Sequence, residues 1–203
     1  YEDDTARPFF ANLLPESELR KVIARRLGLS EGNDFALLEA IGGECAGAVS
    51  LLPEGTALPE AGEYQPFSES ELNALVEELP KRPLLAGERG VRLSLAGVQN
   101  KLPVFYDEDE DTVYLPKGRA PSLHILKPPI AHFPHTVENE AFCMQLAQRM
   151  RLPVPKTVVL QKAVPLYLVG RYDREMTPER RVVRLHQEDF CQALGIAPDM
   201  KYE

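Results

Sequence analysis

Between Leu93 and Glu140 the sequence sets out, in fixed order, a strand, a tight loop, a hairpin, a strand ending on lysine, and a helix with an inward carboxylate. Pro103-Val104-Phe105-Tyr106 and Thr112-Val113-Tyr114-Leu115 flank the acidic run Asp107 to Asp111, the pattern of an antiparallel hairpin with a solvated tip. That run lacks the glycine and twelfth-position carboxylate of an EF-hand loop, so it reads as a charged turn. Ser122 to Lys127 makes the next strand, stopped by Pro128-Pro129. From Thr136 to about Met150 the spacing predicts a helix, capped by Thr136, with Glu138 and Glu140 suiting its dipole. Its expected apolar stripe is Phe142, Cys143, Leu146, Ala147 and Met150, and Glu140 projects in line with Cys143 and Ala147. A carboxylate placed there needs a cation, and Lys127 is the candidate. Protein kinases use such a strand lysine and helix carboxylate to fix ATP phosphates. The same spacing also describes a structural ion pair.

Val91-Leu93-Leu95 alternates with Arg92 and Ser94, which predicts a strand leading into the loop Ser94 to Lys101. Gly97, flanked by Ala96, lets backbone N–H groups approach phosphate oxygens there, and Lys101 adds charge. The loop matches neither G-x-x-x-x-G-K-[ST] nor G-x-G-x-x-G, so on its own residues it reads as a plain hairpin turn.

Ahead of this stretch, a helix over about 17–27 carries Leu19, Val22, Ile23 and Leu27 on one face, and Gly28 stops it. A second, after Asn33, points Phe35, Leu38 and Ile41 inward. Ala46 to Leu52 reads as a strand and Pro53 to Pro66 as a loop. Ser68-x-x-Glu71 is a capping box opening a helix with Leu72, Leu75, Val76 and Leu79 inward, ending before Pro80. Nothing up to about residue 83 announces chemistry. Downstream, strands are expected at Lys156 to Gln161, Leu166 to Tyr172 and Arg181 to Leu185. A short helix from about Gln187 then buries Phe190, Cys191 and Leu194 and ends at Gly195.

The net charge of -8 argues against a broad nucleic-acid surface. No apolar run reaches the ~18 residues of a membrane span, and no signal peptide is visible. Cys45, Cys143 and Cys191 are odd in number and far apart, which suits buried free thiols and a reducing cytoplasm. The histidines form no i,i+4 pair, so no metal site is expected. The chain opens on Tyr1 and closes on Met200-Lys201-Tyr202-Glu203, which suggests a piece cut at both ends.

Several motifs together resemble HipA-type serine/threonine kinases, the toxins of bacterial toxin–antitoxin pairs. They are Ser94-Leu95-Ala96-Gly97-Val98-Gln99-Asn100-Lys101-Leu102-Pro103, Pro116-Lys117-Gly118, His124-Ile125-Leu126-Lys127 and Glu138-Asn139-Glu140-Ala141-Phe142-Cys143. Arg171-Tyr172-Asp173-Arg174, the run from Arg184 to Gln192, Pro8 to Glu16 and Gly42 to Ala48 belong to the same likeness, which covers nearly the whole chain in order.

The resemblance implies an α+β fold with three parts. A helical remnant of an N-terminal subdomain spans 1–83, a mostly antiparallel kinase N-lobe that binds nucleotide spans 84–173, and a truncated second lobe starts at 174–203. It implies that Lys127 holds ATP phosphates and that Glu140 positions Lys127. The Ser94 loop, with Gly97 and Lys101, would lie beside the phosphates, and Val169 to Tyr172 would form the adenine hinge, Arg171 and Tyr172 included. Gly170 stands where relatives can carry an acidic side chain, which leaves recognition to the backbone. Ser94 resembles the family's autophosphorylated serine, whose phosphate throws the loop out of the pocket. The catalytic Asp and the Mg2+ ligands would lie beyond Glu203, so this piece would be inactive alone. The whole protein would phosphorylate a protein serine or threonine, with glutamyl-tRNA synthetase as the usual target class. It would pair with a DNA-binding antitoxin of the HipB type. Rival readings are a non-catalytic module docking an antitoxin or a separate kinase subunit, and a kinase-like fold acting on a lipid or small molecule.

Overall fold

The computed structural model describes residues 3–56, 61–179 and 181–202. In chain order the elements are α1 (Asp3–Ala11), α2 (Ser17–Leu27), α3 (Asp34–Ile41), β1 (Gly62–Pro66), α4 (Glu69–Glu78), β2 (Leu102–Asp107) and β3 (Thr112–Gly118). There follow β4 (His124–Lys127), α5 (Thr136–Arg149), β5 (Thr157–Gln161), β6 (Pro165–Gly170), β7 (Arg174–Met176), β8 (Val182–Arg184) and α6 (Phe190–Leu194). The fold is α+β. Six strands form one sheet in the order β1-β3-β2-β4-β6-β5, each pair antiparallel, and β7 pairs with β8 separately.

Local chemistry explains the element ends. α2 stops at Gly28, whose φ of 69° is costly for a residue with a Cβ, and its N–H closes onto the Ala24 and Arg25 carbonyls. α4 opens on the Ser68/Glu71 capping box, and α6 on a second one formed by Asp189 and Gln192. The acidic tip between β2 and β3 stays in water.

Register then sorts the sheet's two faces. Leu102, Leu126, Leu168 and Val158 sit opposite one another across β2, β4, β6 and β5. They join the main core with Leu13, Ile23, Leu38 and Leu79 from the helical side. On the opposite face α5 packs over β5 and β6, with Val137 and Ala141 against Tyr167.

Several expectations need correcting. Ala46 to Leu52 is not a strand: Arg92 donates to the Ala40 and Leu51 carbonyls, and Leu51 N–H to Gly42, holding the segment irregular. Val91 to Leu95 forms no ladder beyond a single parallel bridge between Glu44 and Leu93. Ser94 is buried along with Val91, Leu93 and Leu95, so the alternation did not mark an open face. Within the expected loop before Pro66, Gly62–Pro66 instead pairs with β3 as an edge strand, and residues 57–60 lie outside the described residues. The expected strand at Leu166 to Tyr172 ends at Gly170. Two elements had no expectation: α1, which tolerates Pro8, and β7.

Phe35 is half exposed while Leu37 fills the core. α5 turns its expected stripe outward: Phe142, Leu146 and Met150 are exposed, Cys143 with them, and Val137 and Ala141 are the buried positions. Cys143 is therefore an exposed thiol. Thr136 does not cap α5; its hydroxyl accepts the Ile130 N–H at 3.1 Å, and His135 at φ 61° takes the N-cap position. In α6, Cys191 and Gln192 point inward and Phe190 and Leu194 outward.

Candidate active site

Ile125 and Lys127 are two apart on β4 and therefore project from the same face of the sheet, away from the main core. That face floors a cleft of about 420 Å3, within the range of small-molecule sites. Leu95 to Gly97 and Lys101 form one wall, and Val169 to Asp173 another. Ala46 and Glu16 reach in from the N-terminal part, Asp189 and Lys201 from the C-terminal part. Apolar Ile125 and Val169, paired in register, suit a flat ring. Lys101 and Lys127 suit an anion.

Lys127 is ion-paired with Glu140 of α5, and its ammonium lies 5.5 Å from the centre of the Tyr167 ring, its register partner on β6. Both partners of the ion pair keep partial exposure, 21% and 31%, so the ammonium is held in place yet reachable. Glu140 is brought inward by Val137 and Ala141 on its own turns, not by Cys143 and Ala147.

The loop from Ser94 to Lys101 is folded onto residues 13–16. Ser94 is fully buried; its hydroxyl donates to the Leu13 carbonyl at 2.7 Å and its N–H to the Glu44 carbonyl at 2.9 Å. The Glu16 N–H donates to the Gly97 carbonyl at 3.3 Å. Gly97 has φ 107°, and a Cβ there would stand 2.6 Å from the Lys101 ammonium, which bonds back to the Ala96 carbonyl. Burial, reinforced by the nearby Lys127 charge, pushes Lys101 down to about 8.

The hinge candidates divide. Tyr172 is 70% exposed at the cleft mouth. The Arg171 side chain turns away into a buried knot: it forks onto Asp173 at 2.9 and 2.6 Å and donates to the Ser122 hydroxyl and the Cys45 carbonyl. Only its backbone is left to face the cleft. The Gly170 and Arg171 N–H groups are committed to the Lys156 and Leu123 carbonyls, both at 2.8 Å.

Sequence reasoning missed Glu44 and Glu16. Glu44, at the centre of the knot, carries one legible signal, a lone acid between Gly43 and Cys45 in an otherwise apolar stretch. Glu16, whose carboxylate accepts from Lys201 at 2.9 Å and Tyr202 at 3.0 Å, carries none.

Residues 93–203 match the HipA-like C-terminal domain family, and residues 1–52 match the HipA N-terminal domain family. The chain belongs to the HipA family. A Sinorhizobium fredii protein named "Putative kinase Y4mE" is 48% identical over 97% of this HipA-family chain and 48% of its own length. The serine/threonine-protein kinase toxin HipA of Shewanella oneidensis is 38% identical over 96% of the chain and 44% of itself. A solved complex of HipA, HipB and operator DNA from Shewanella oneidensis MR-1 superposes with a TM-score of 0.79 at 36% identity, covering 98% of this chain and 46% of that one. The chain thus spans about half the length of the curated relatives it matches. No helix among the described residues is long and apolar enough to cross a membrane.

Proposed function

We propose that this HipA-family chain supplies the nucleotide-gripping lobe of a kinase that transfers the γ-phosphoryl of ATP to a serine or threonine hydroxyl of a protein. The observation that carries the reading is the Lys127–Glu140 ion pair at the floor of a cleft closed by a glycine-centred loop. The cleft fits the nucleotide: apolar Ile125 and Val169 beside a backbone hinge for the base, and Lys127 and Lys101 for the phosphates. When bound, ATP supplies the phosphoryl group. Lys127 holds its phosphates, Glu140 keeps the ammonium oriented, and the loop excludes water over them. With the Gly170 and Arg171 N–H groups committed, the base is left the hinge carbonyls and the Tyr172 N–H. The family resemblance implies that Mg2+ would be held by residues of the second lobe outside this chain, and no step here depends on it.

Ser94 is the proposed autophosphorylation site. In the folded loop its hydroxyl is buried against a carbonyl, and a phosphate of about -1.5 to -2 charges has no place there. The loop must therefore leave before or as the serine is modified, and it stays out afterwards. The likeness to a HipA–HipB–DNA complex supports a HipB-type antitoxin as partner, and the proposed substrate is a translation component such as glutamyl-tRNA synthetase, the class the resemblance implies.

The test is Lys127→Ala in the full-length protein, followed by transfer of labelled phosphate to itself and to a protein acceptor. Transfer should fall at least about a hundredfold with the fold intact. Activity within about twofold of the parent would refute the assignment.

A further inference from the structure

Glu44 comes from a segment that carries no chemistry in the reading above, yet it is bonded to both walls of the cleft. Its main chain bonds to the strand entering the Ser94 loop: Glu44 N–H donates to the Arg92 carbonyl at 2.8 Å, and Ser94 N–H donates to the Glu44 carbonyl at 2.9 Å. Its side chain faces the other way. Oε1 accepts the Ser122 N–H at 3.0 Å, the Ser122 hydroxyl at 2.9 Å and Arg174 Nη2 at 3.0 Å, and Oε2 accepts Arg184.

Arg171, at the end of the hinge, stands 3.5 Å from Oε1, and the Ser122 hydroxyl bridges the two, accepting from Arg171 Nη1 at 2.8 Å. Arg171 and Arg174 each also donate to the Cys45 carbonyl at 3.0 Å, and the Gly47 N–H donates to Asp173 at 2.7 Å. Ala46, which lines the cleft, is thus clamped on both sides by the residues that follow the hinge.

The knot holds three guanidinium groups against two carboxylates, all but Arg184 buried. With Glu44 neutral, only Asp173 would oppose the three. Buried like charges repel more strongly when a counter-charge is lost, and any separation of these guanidinium groups would pull on the Arg171 backbone at the cleft edge.

We propose that Glu44 is a positioning residue for the nucleotide, fixing the 169–173 edge of the cleft in register with the Ser94 loop. The inference rests on the nucleotide reading above and adds a residue to it, one that touches no ligand and acts through Arg171, Arg174 and Ser122.

The experiment compares Glu44→Gln and Ser122→Ala with the parent in the full-length protein, reading the Kd of a fluorescent ATP analogue, KM and kcat for ATP, and the melting temperature. Glu44→Gln should raise Kd and KM about tenfold while kcat per folded molecule stays within about threefold, the pattern of lost binding rather than lost chemistry. Ser122→Ala, which removes only the hydroxyl bridge, should raise both about threefold. A residue that merely held the fold together would lower the melting temperature and the active fraction and leave Kd unchanged. Unchanged Kd and KM in the folded variants would therefore overturn the proposal. Should Glu44→Gln fail to fold, Ser122→Ala decides by the same criterion. A parent protein that binds no ATP would overturn the nucleotide reading itself and this inference with it.

Discussion

At the scale of single residues, the cleft contrasts two lysines. Lys127 meets a carboxylate, whereas Lys101 is half-buried and bonds only a carbonyl. An ammonium partly withdrawn from water with no carboxylate bonded to it costs stability, and the Lys127 charge adds to that cost, which is why Lys101 is pushed down to about 8 from 10.5. The unfolded chain then holds this proton up to about pH 10.5 while the folded chain releases it near 8. Between those values the unfolded state binds more protons, so stability rises with pH across that window. Below pH 8 the cost is present in full. Lys101→Met should accordingly be more stable than the parent at pH 7, by roughly 1–3 kcal/mol. The gap should close as pH climbs from 8 toward 10, read from urea midpoints at each pH. A variant less stable at pH 7, or a gap indifferent to pH, would defeat this account. On the proposed nucleotide reading the gain should come with weaker ATP binding, because the charge lost is one that would face the phosphates.

Among the elements, the Ser94 loop is the one on which the proposed function makes the sharpest demands. Gly97 at φ 107° and the close approach of Lys101 make Gly97→Ala doubly unfavourable, through backbone strain and a displaced ammonium. We expect that variant to expose residues 94–101 to limited proteolysis and to bind ATP at least about tenfold more weakly. Cleavage and affinity equal to the parent's would show that the folded loop is not required. Ser94→Ala costs about 1 kcal/mol for the lost bond to Leu13. With Ser94 as the proposed autophosphorylation site, kinase activity of the full-length variant should persist during preincubation with ATP, whereas the parent's is expected to decay. Equal decay would remove Ser94 from the mechanism. The elements also show what the sequence discloses. α2, α4 and the β2–β3 hairpin are legible because capping residues, terminal glycine and a charged tip act locally. The buried face of α5 was not, since this helix has two apolar stripes and only the sheet it meets selects Val137 and Ala141 over Phe142 and Leu146. Lys127 and Glu140 were found as a pair by chemistry, the demand of an inward carboxylate for a cation, even though the stripe used to place Glu140 was the wrong one. The role of Glu44 was out of reach because its side-chain partners lie more than 75 residues away in sequence.

For the whole molecule, those distant partners are what join its parts. Arg7 and Arg20 meet Asp34 within the N-terminal helices, while Glu44 and Gly47 meet Arg171, Asp173 and Arg174 across the chain. Burial by itself would raise Asp173, but the fork of Arg171 and the charge of Arg174 outweigh it and hold the carboxyl below its usual range. Asp34 is likewise lowered, by Arg7 and Arg20, against the opposing effect of burial. A depressed carboxyl binds fewer protons in the folded state than in the unfolded one. Its stabilisation is therefore complete above the unfolded value of about 3.9 and is lost as pH falls through the lower folded value. Acid should loosen the union of the two ends of the chain only below about pH 4, and neutral solutions should leave it intact. Asp173→Asn isolates the effect. At pH 7 it leaves Arg171 and Arg174 short of a counter-charge and should cost about 3–5 kcal/mol. Below pH 4 the parent starts to lose what the variant already lacks, so the gap between their urea midpoints should narrow steadily as pH falls below about 4. Profiles that stay parallel across that range would mean that Asp173 is not the acid that ties the hinge to the N-terminal segment.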